Sequence, residues 1–477
     1  MQKNLVLKNS FILLSALMIV EMILVITAYV NQSENLYVYA IVTMWGIGII
    51  YCLLDIYNRV FFFIYLLAFF NFLIGRSLLI ILGIFKEPYR FTLQESISGQ
   101  QIVLFSLIVL VSSYILLGKS ISRNMQIMNA DSVSIQKVRL ASKVLFLSTF
   151  VFLVISVLGT IFYVIQNGYA SIYVDVEAKV PTIIKKIGDI APFAFYLFLG
   201  TLPTKKEVRL PLMLYTIYLI LTLGTGARFE FVIGILSILT YFILRNSLAK
   251  SESEKWIRKR SLKYYVILGF IIIAMLSAYN NLRFNESVET TSPIQLITKF
   301  SFDQGISINI PKRIFKYSNY IPTDRFYSLD STISFFNKNI GSKLFGTIYY
   351  SGASVEKAIN GNSLSDVLSY ILYKSQYLLG IGGGSSYIAE VYLDFGWLGL
   401  FIINIIYSFL FVKLEDFSLK SPYKFLIAFV IFMAFLRTPR GRTDGVILKI
   451  FDPMLWISLI IIYFITKYMI KVKRVRK

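Results

Sequence analysis

Arg437, Arg440 and Arg442 fall within the short stretch Arg-Thr-Pro-Arg-Gly-Arg-Thr-Asp444, between two apolar runs. Three guanidiniums this close, always charged and forked in geometry, suit a phosphate-bearing ligand. Arg228 sits likewise between apolar runs, in Gly224-Thr-Gly-Ala-Arg-Phe-Glu230; Arg283 directly follows a run, and Arg76 lies inside one. An arginine at membrane depth costs about 2.5–3.5 kcal/mol on insertion scales, so it normally has a partner. For any one of them, snorkelling or an ion pair to Glu230, Asp444 or Asp452 is explanation enough. Six gathered on one side of a membrane, against the charge rule for that side, point instead to an anionic ligand. Arg313 is a weaker candidate for substrate contact.

The carboxylates that could move a proton are Glu390 and Asp394, spaced i,i+4 on one helical face with Tyr387. They follow Gly380-Ile-Gly-Gly-Gly-Ser-Ser386, a glycine-dense stretch without the Gly-Lys-Ser/Thr ending of a nucleotide-binding loop. Its functional reading is a turn presenting backbone amides to an anion. Its bland reading is a hinge at the membrane surface. Two acids entering a membrane together need partners, and the arginines are the expected ones. Glu21, in the middle of the first apolar run, reads as a structural acid in a hydrogen bond or an ion pair, with Arg76 as one candidate partner, and not as a catalytic group. Asp303-Gln304-Gly305 reads as an ordinary turn.

Composition removes several other chemistries. The chain has 477 residues and no histidine, so imidazole bases, Ser-His-Asp sites and His-ligated metals are excluded. The single cysteine, Cys52, rules out intrachain disulfides and paired-cysteine sites. With 56% hydrophobic and only 16% charged residues, the chain cannot cover its surface with polar groups and needs lipid as solvent. The formal charge of +22 is expected to set orientation and meet anionic headgroups, with no nucleic-acid partner.

The elements that must position these residues are apolar runs near 11–30, 36–54, 60–85, 100–118, 144–165, 190–203, 210–225, 229–244, 264–282, 386–412, 424–437 and 446–470. The pattern predicts an all-α polytopic membrane protein of about twelve helices, three of them shorter than the ~20 residues a full crossing needs. The first run follows basic residues without a small-residue cleavage site and reads as a retained helix. Alternating from a cytoplasmic N-terminus puts the basic stretches at 119–143, 205–209, 245–260, 413–424 and 471–477 inside, with both termini cytoplasmic. Three regions follow: helices one to nine in 1–282, a large external and partly helical loop in 283–385, and helices ten to twelve with a basic tail in 386–477. Amphipathic pieces at Leu296–Phe302, Ile306–Phe315 and Val355–Tyr373 predict a helical cap.

In this order, Gly-Thr-Gly-Ala-Arg228, Phe302-Asp-Gln-Gly-Ile-Ser307, Ser385-Ser-Tyr-Ile-Ala-Glu390 and Asp394-Phe-Gly396 resemble the Wzy-type polymerases of bacterial O-antigen and capsule synthesis. The resemblance spans roughly 220–445 and implies a GT-C-like architecture in the bacterial cytoplasmic membrane. It implies transfer of a growing glycan from undecaprenyl pyrophosphate to a lipid-linked repeat unit, alongside a flippase and a chain-length regulator. Related O-antigen ligases feature a histidine, which is missing here. Glu390 or Asp394 would then be the base. Arg228, Arg437, Arg440 and Arg442 would hold the pyrophosphate, with Arg76, Arg283, Arg313 and Tyr387 as further substrate contacts. The first external loop, Asn31-Gln-Ser-Glu-Asn35, carries one acid where metal-dependent membrane glycosyltransferases often carry two. Metal independence and no cofactor are therefore expected. The alternatives are another, ligase-like transferase of lipid-linked glycans and, behind it, a lipid-linked oligosaccharide flippase, disfavoured by the long loop and the lack of repeats; a structural or signalling role comes last.

Overall fold

The computed structural model describes residues 2–120, 127–168, 180–226, 228–249, 251–258 and 292–475, with isolated positions between 263 and 272. Among these residues the protein is helical, without strands, and nine helices are long and apolar enough to cross a membrane. They are Leu13–Asn31, Glu34–Leu53, Val60–Ile81, Leu93–Gly118, Val133–Asn167, Arg228–Ser247, Tyr387–Phe417, Pro422–Arg440 and Gly445–Tyr468. The chain is thus an all-α polytopic membrane protein. Of the other three expected runs, one forms only the short helix Ile190–Gly200 and one lies in Lys205–Leu223, whose first turns carry Lys205, Lys206, Glu207 and Arg209. The run at 264–282 lies almost wholly outside the described residues, as does Arg283.

Lipid as solvent accounts for what the surface exposes. Along the first span Ile19, Met22, Ile23, Ile26, Tyr29 and Val30 are all exposed apolar side chains, an arrangement water would not tolerate. Inside, aromatic rings fill the bundle: Phe61, Phe62, Tyr65, Phe411, Phe429, Phe432 and Phe435 pack at the crossing of three spans. Tyr387–Phe417 packs along Leu93–Ser120, where Glu415 accepts a 2.6 Å hydrogen bond from the Tyr114 hydroxyl and the Ser408 hydroxyl donates to the Leu110 carbonyl at 2.7 Å. Satisfied polar pairs of this kind fix register where hydrophobicity alone gives no direction.

Breaks in the helices aim the candidate residues. The third span runs as α-helix to Phe69, widens into a π turn at Phe70–Ile74, and resumes at Gly75, which reorients Arg76 relative to the turns before it. Tyr387–Phe417 is interrupted at Gly396, whose φ of 60° and ψ of −148° suit only glycine. After Pro422–Phe435 the chain makes a 3-10 turn at Thr438–Arg440, a six-residue helix at Gly445–Ile450, and a break at Asp452-Pro453 before Pro453–Val475. The segment after Ser292 is a series of short helices: Pro293–Gln304, Asn309–Lys316, Asp330–Phe336, Val355–Asn360 and Leu364–Leu378. It lies across one end of the bundle, where Lys312 pairs with Glu34 at 2.6 Å and Asn309–Lys316 packs on Leu93–Ser120.

Candidate functional site

Arg437, Arg440 and Arg442 converge on a cavity of about 600 Å³ at the end of the bundle that carries the 293–385 segment. Phe229, Ser331, Phe335, Lys449, Phe451 and Asp452 complete much of its wall. The loop is pinned on both sides of the cations. Thr438 is fully buried with its hydroxyl on the Phe435 carbonyl; Thr443 gives its N–H and hydroxyl to Glu390, and Asp444 accepts the Thr332 N–H at 2.6 Å. With its backbone fixed at both ends, the loop presents its guanidiniums without an ordering cost at the moment of binding.

Each arginine is steered from a different element. Arg437 Nη2 pairs with Glu230 at 2.6 Å and stands over the Phe229 ring, both near the start of the helix Arg228–Ser247. Arg440 donates to the Gln304 side-chain oxygen and stands over the Phe72 ring. Arg442 Nε pairs with Asp330 at 3.1 Å and Nη1 donates to Ser331 at 3.3 Å. Burial pushes the Asp330 carboxyl above the usual aspartate range, with Arg442 opposing and the nearby carboxylates of Asp366 and Asp444 adding to the rise. Lys449 lies 3.9 Å from Asp452. Among the described residues Glu230, Asp330 and Asp452 pair with Arg437, Arg442 and Lys449, and the Arg437 and Arg442 side chains stay over a third exposed, so an incoming anion can displace their partners.

Arg228 heads the helix whose next residue, Phe229, lines the cavity and whose Glu230 pairs with Arg437; Arg228 itself is half-buried and is not among the lining residues. Arg76 is turned to a different task. It is 2% exposed, forms a two-pronged pair with Glu87 through Nε and Nη2 at 2.8 Å, and donates to the Phe302 carbonyl at 3.0 Å. Gly305 packs so tightly there that an added Cβ would stand 2.6 Å from the Arg76 Cβ. Glu87, and not Glu21, is thus the partner of Arg76; both Glu21 oxygens are buried without a hydrogen bond among the described residues. Asp303-Gln304-Gly305 is likewise more than a turn: it closes a helix, abuts Arg76 and delivers Gln304 to Arg440.

Glu390 and Asp394 find hydrogen-bond donors of the chain, not arginines. Glu390 is 1% exposed; one oxygen accepts from Ser385 at 2.6 Å, the other takes both Thr443 donors at 2.8 Å. Asp394 accepts the backbone N–H of Tyr327 and of Ser328 and the Ser328 hydroxyl at 2.9, 2.7 and 2.6 Å. A carboxylate taken from water is satisfied by three close donors at less desolvation cost than by a second buried charge. Neither acid lines the cavity. Tyr387 is fully buried, donating to Asn404 at 2.9 Å against the Tyr407 ring. Arg313 is buried apart from the cavity, beside the Tyr89 ring. Lys449 and Ser331 are polar cavity residues that sequence reasoning passed over, as it did Asp330, the partner of Arg442; Lys449, a cation within an apolar run, carried the same signal as Arg76.

Fold and site together define a polytopic membrane protein with a cationic cavity at one end of a helical bundle. The sequence profile of the family described as O-antigen polysaccharide polymerase Wzy matches residues 12–473, nearly the whole chain, and the chain belongs to that family. It is by that membership a membrane-embedded O-antigen repeat-unit polymerase of polysaccharide biosynthesis, working on a lipid-linked glycan. No curated protein and no solved structure matches it.

Proposed function

We propose that the protein transfers the growing glycan from an undecaprenyl-pyrophosphate carrier to the incoming lipid-linked repeat unit, on the outer face of the bacterial cytoplasmic membrane. Its termini then lie in the cytoplasm, and a flippase supplies its substrate while a chain-length regulator limits its product. The observation that carries this reading is the convergence of Arg437, Arg440, Arg442 and Lys449 on one cavity. In the transfer, the acceptor hydroxyl oxygen bonds to the donor's anomeric carbon. The bond from that carbon to the phosphate oxygen breaks, and its electron pair leaves with the carrier pyrophosphate. The charge that develops is what fixed guanidiniums stabilise best, and the donor is already activated. No nucleotide is needed, and no metal is assigned a role.

Arg228 supports the same anion from the start of the helix that carries Phe229, and Arg76 acts through the Phe302–Gly305 segment that carries Gln304 to Arg440. Arg283 keeps a role in substrate contact on its sequence alone. Asp452 takes the acceptor proton, being the carboxylate within the cavity wall. Glu390 and Asp394 hold the loops around the cations, and Tyr387 braces the same helix. The test is Arg440→Ala in a strain otherwise unable to extend the glycan. Single repeat units reaching the outer face, with the ladder absent and expression normal, support the reading. A full ladder overturns the arginine assignment, and repeat units trapped at the cytoplasmic face of a strain lacking the gene make the protein a flippase.

A further inference from the structure

Among the described residues, Arg313 heads the fully buried side chains by volume, at 1% exposed, and neither Nη1 nor Nη2 has a hydrogen-bond partner. No described carboxylate lies within ion-pairing distance of it. Its neighbours are the Tyr89 ring, with the guanidinium carbon 4.6 Å from the centroid, and the Tyr373 hydroxyl, which approaches without hydrogen-bond geometry. Desolvating a guanidinium is costly, and an aromatic face offsets only part of that cost. A charge left in this condition is poised for an anion.

The surroundings say what kind. The wall beside Nη1 is Gly383, where an added Cβ would stand 3.3 Å from that nitrogen and 3.8 Å from the Tyr373 hydroxyl. The loop Gly380–Gly384 is exposed at Ile381 and Gly382, and Gly380 and Gly384 both have positive φ, so a glycine turn open to the surface passes beside the guanidinium. The helix Leu364–Leu378 breaks at Tyr373, which lets that ring turn toward the guanidinium. Two tyrosines, each an apolar face with a polar tip, around one unpaired guanidinium match a sugar ring bearing an oxyanion.

Resting on the polymerase reading above, we propose that Arg313, Tyr89, Tyr373 and the Gly380–Gly384 loop form a second subsite, which recognises a carboxylate- or phosphate-bearing sugar of the glycan. It is separate from the pyrophosphate cavity but tied to it, since Ser385, at the end of the glycine loop, and Thr443, beside Arg442, share the Glu390 carboxylate. Filling the subsite braces the glycine loop, whose end is tied through Glu390 to the arginine loop already fixed there.

The test uses the full-length protein in lipid nanodiscs, with the unfolding midpoint as readout. The probes are methyl glucuronide, glucose 1-phosphate and neutral methyl glucoside at matched ionic strength. The anionic sugars are expected to raise the midpoint saturably and the neutral one not; the responding arm tells carboxylate from phosphate. Arg313→Met is expected to raise the half-saturating concentration roughly ten- to hundredfold, Arg313→Lys less, and Arg440→Ala hardly at all. Gly383→Val, which fills the space beside Nη1, is expected to act like Arg313→Met and serves if that variant does not fold. An equal response to methyl glucoside overturns the proposal. So does an unchanged response in both Arg313→Met and Gly383→Val. Loss of the response in Arg440→Ala assigns it to the arginine cavity and also overturns this subsite, leaving the function itself standing.

Discussion

Thr443 gives both its backbone N–H and its hydroxyl to one oxygen of Glu390, each at 2.8 Å, across 53 positions of sequence. The next residue back is Arg442, so the buried carboxylate sets where the arginine loop ends. A carboxylate held in this way is placed to position the loop, which is the role proposed for it.

Glu390→Gln therefore separates two roles. Glutamine keeps an oxygen for Thr443 but cannot take a proton. As a positioning residue, Glu390→Gln should keep the fold and lose about tenfold or less in chain extension. Removing a true general base costs about 10²–10⁴-fold. Glu390→Ala strands three buried donors at about 1–3 kcal/mol each and should fail to accumulate folded protein. Extension rate in membranes, set against the yield of folded protein, decides between the roles.

The cations should not be equivalent. Among the described contacts Arg440 is held by the Gln304 side chain, Arg437 by Glu230 and Arg442 by Asp330, so each guanidinium is released to a ligand from a different element. Arg440→Ala is expected to lose about 10²–10³-fold in extension rate, the scale seen when a transition-state donor is removed. Arg440→Lys restores charge without the fork and should recover only part of it. Initial rates with a defined lipid-linked repeat unit test the order; equal losses for all three alanine variants would show a diffuse field instead of a directed contact.

Much of this site was legible in the chain because charge in an apolar sequence is conspicuous. Arg437, Arg440 and Arg442 declared themselves by violating the orientation rule, and the structure brings them to one cavity. Pairing was not legible. Sequence alone offers Glu21 as a partner for Arg76, whereas the structure pairs it with Glu87, a choice that depends on the π turn at Phe70–Ile74 and on a bend after Ile81 that no periodicity encodes. Glu390 and Asp394 looked like reactive acids because sequence shows a charge and not the Ser385, Thr443, Tyr327 and Ser328 donors that meet it. The short helix Ile190–Gly200 shows the same limit in the fold: its apolar run promises a span, but its length is set by the chain turning at Thr201.

Asp330 makes stability depend on pH. Its carboxyl is held above the usual range by burial, so the folded protein binds that proton more tightly than the unfolded chain. Its contribution is present in full below the ordinary aspartate value and is lost as pH rises through the raised one. Asp330→Asn should flatten this fall. Arg442→Ala should move it to higher pH, because Arg442 is the charge that lowers the carboxyl. Unfolding midpoints across an acid-to-neutral series check both; a variant profile parallel to that of the parent protein would exclude Asp330 as the source.

Gly396 should tolerate no side chain. Its backbone, at φ 60° and ψ −148°, lies where a Cβ collides with its own chain although nothing else is within 4 Å. Gly396→Ala is expected to cost about 1–3 kcal/mol, read as a lower unfolding midpoint in detergent. Function should fall further than stability, since Asp394 is two residues away and its grip on Tyr327 and Ser328 sets the path of the segment leading to Asp330 and Ser331. A normal midpoint in Gly396→Ala would mean the span can continue as regular helix through this point.

Chain extension should persist in a chelator. The cavity answers the charge of a leaving pyrophosphate with Arg437, Arg440, Arg442 and Lys449, and the carboxylates around it are occupied: Glu230 with Arg437, Asp330 with Arg442, Asp452 with Lys449. A divalent cation recruited there would have to break those pairs and would itself be repelled by four positive charges. The rate with a purified lipid-linked substrate is therefore expected to be unchanged by excess EDTA and not raised by added magnesium or manganese. Loss of activity in EDTA, restored by either ion, would assign part of the pyrophosphate charge to a metal and reduce the arginines to orienting it.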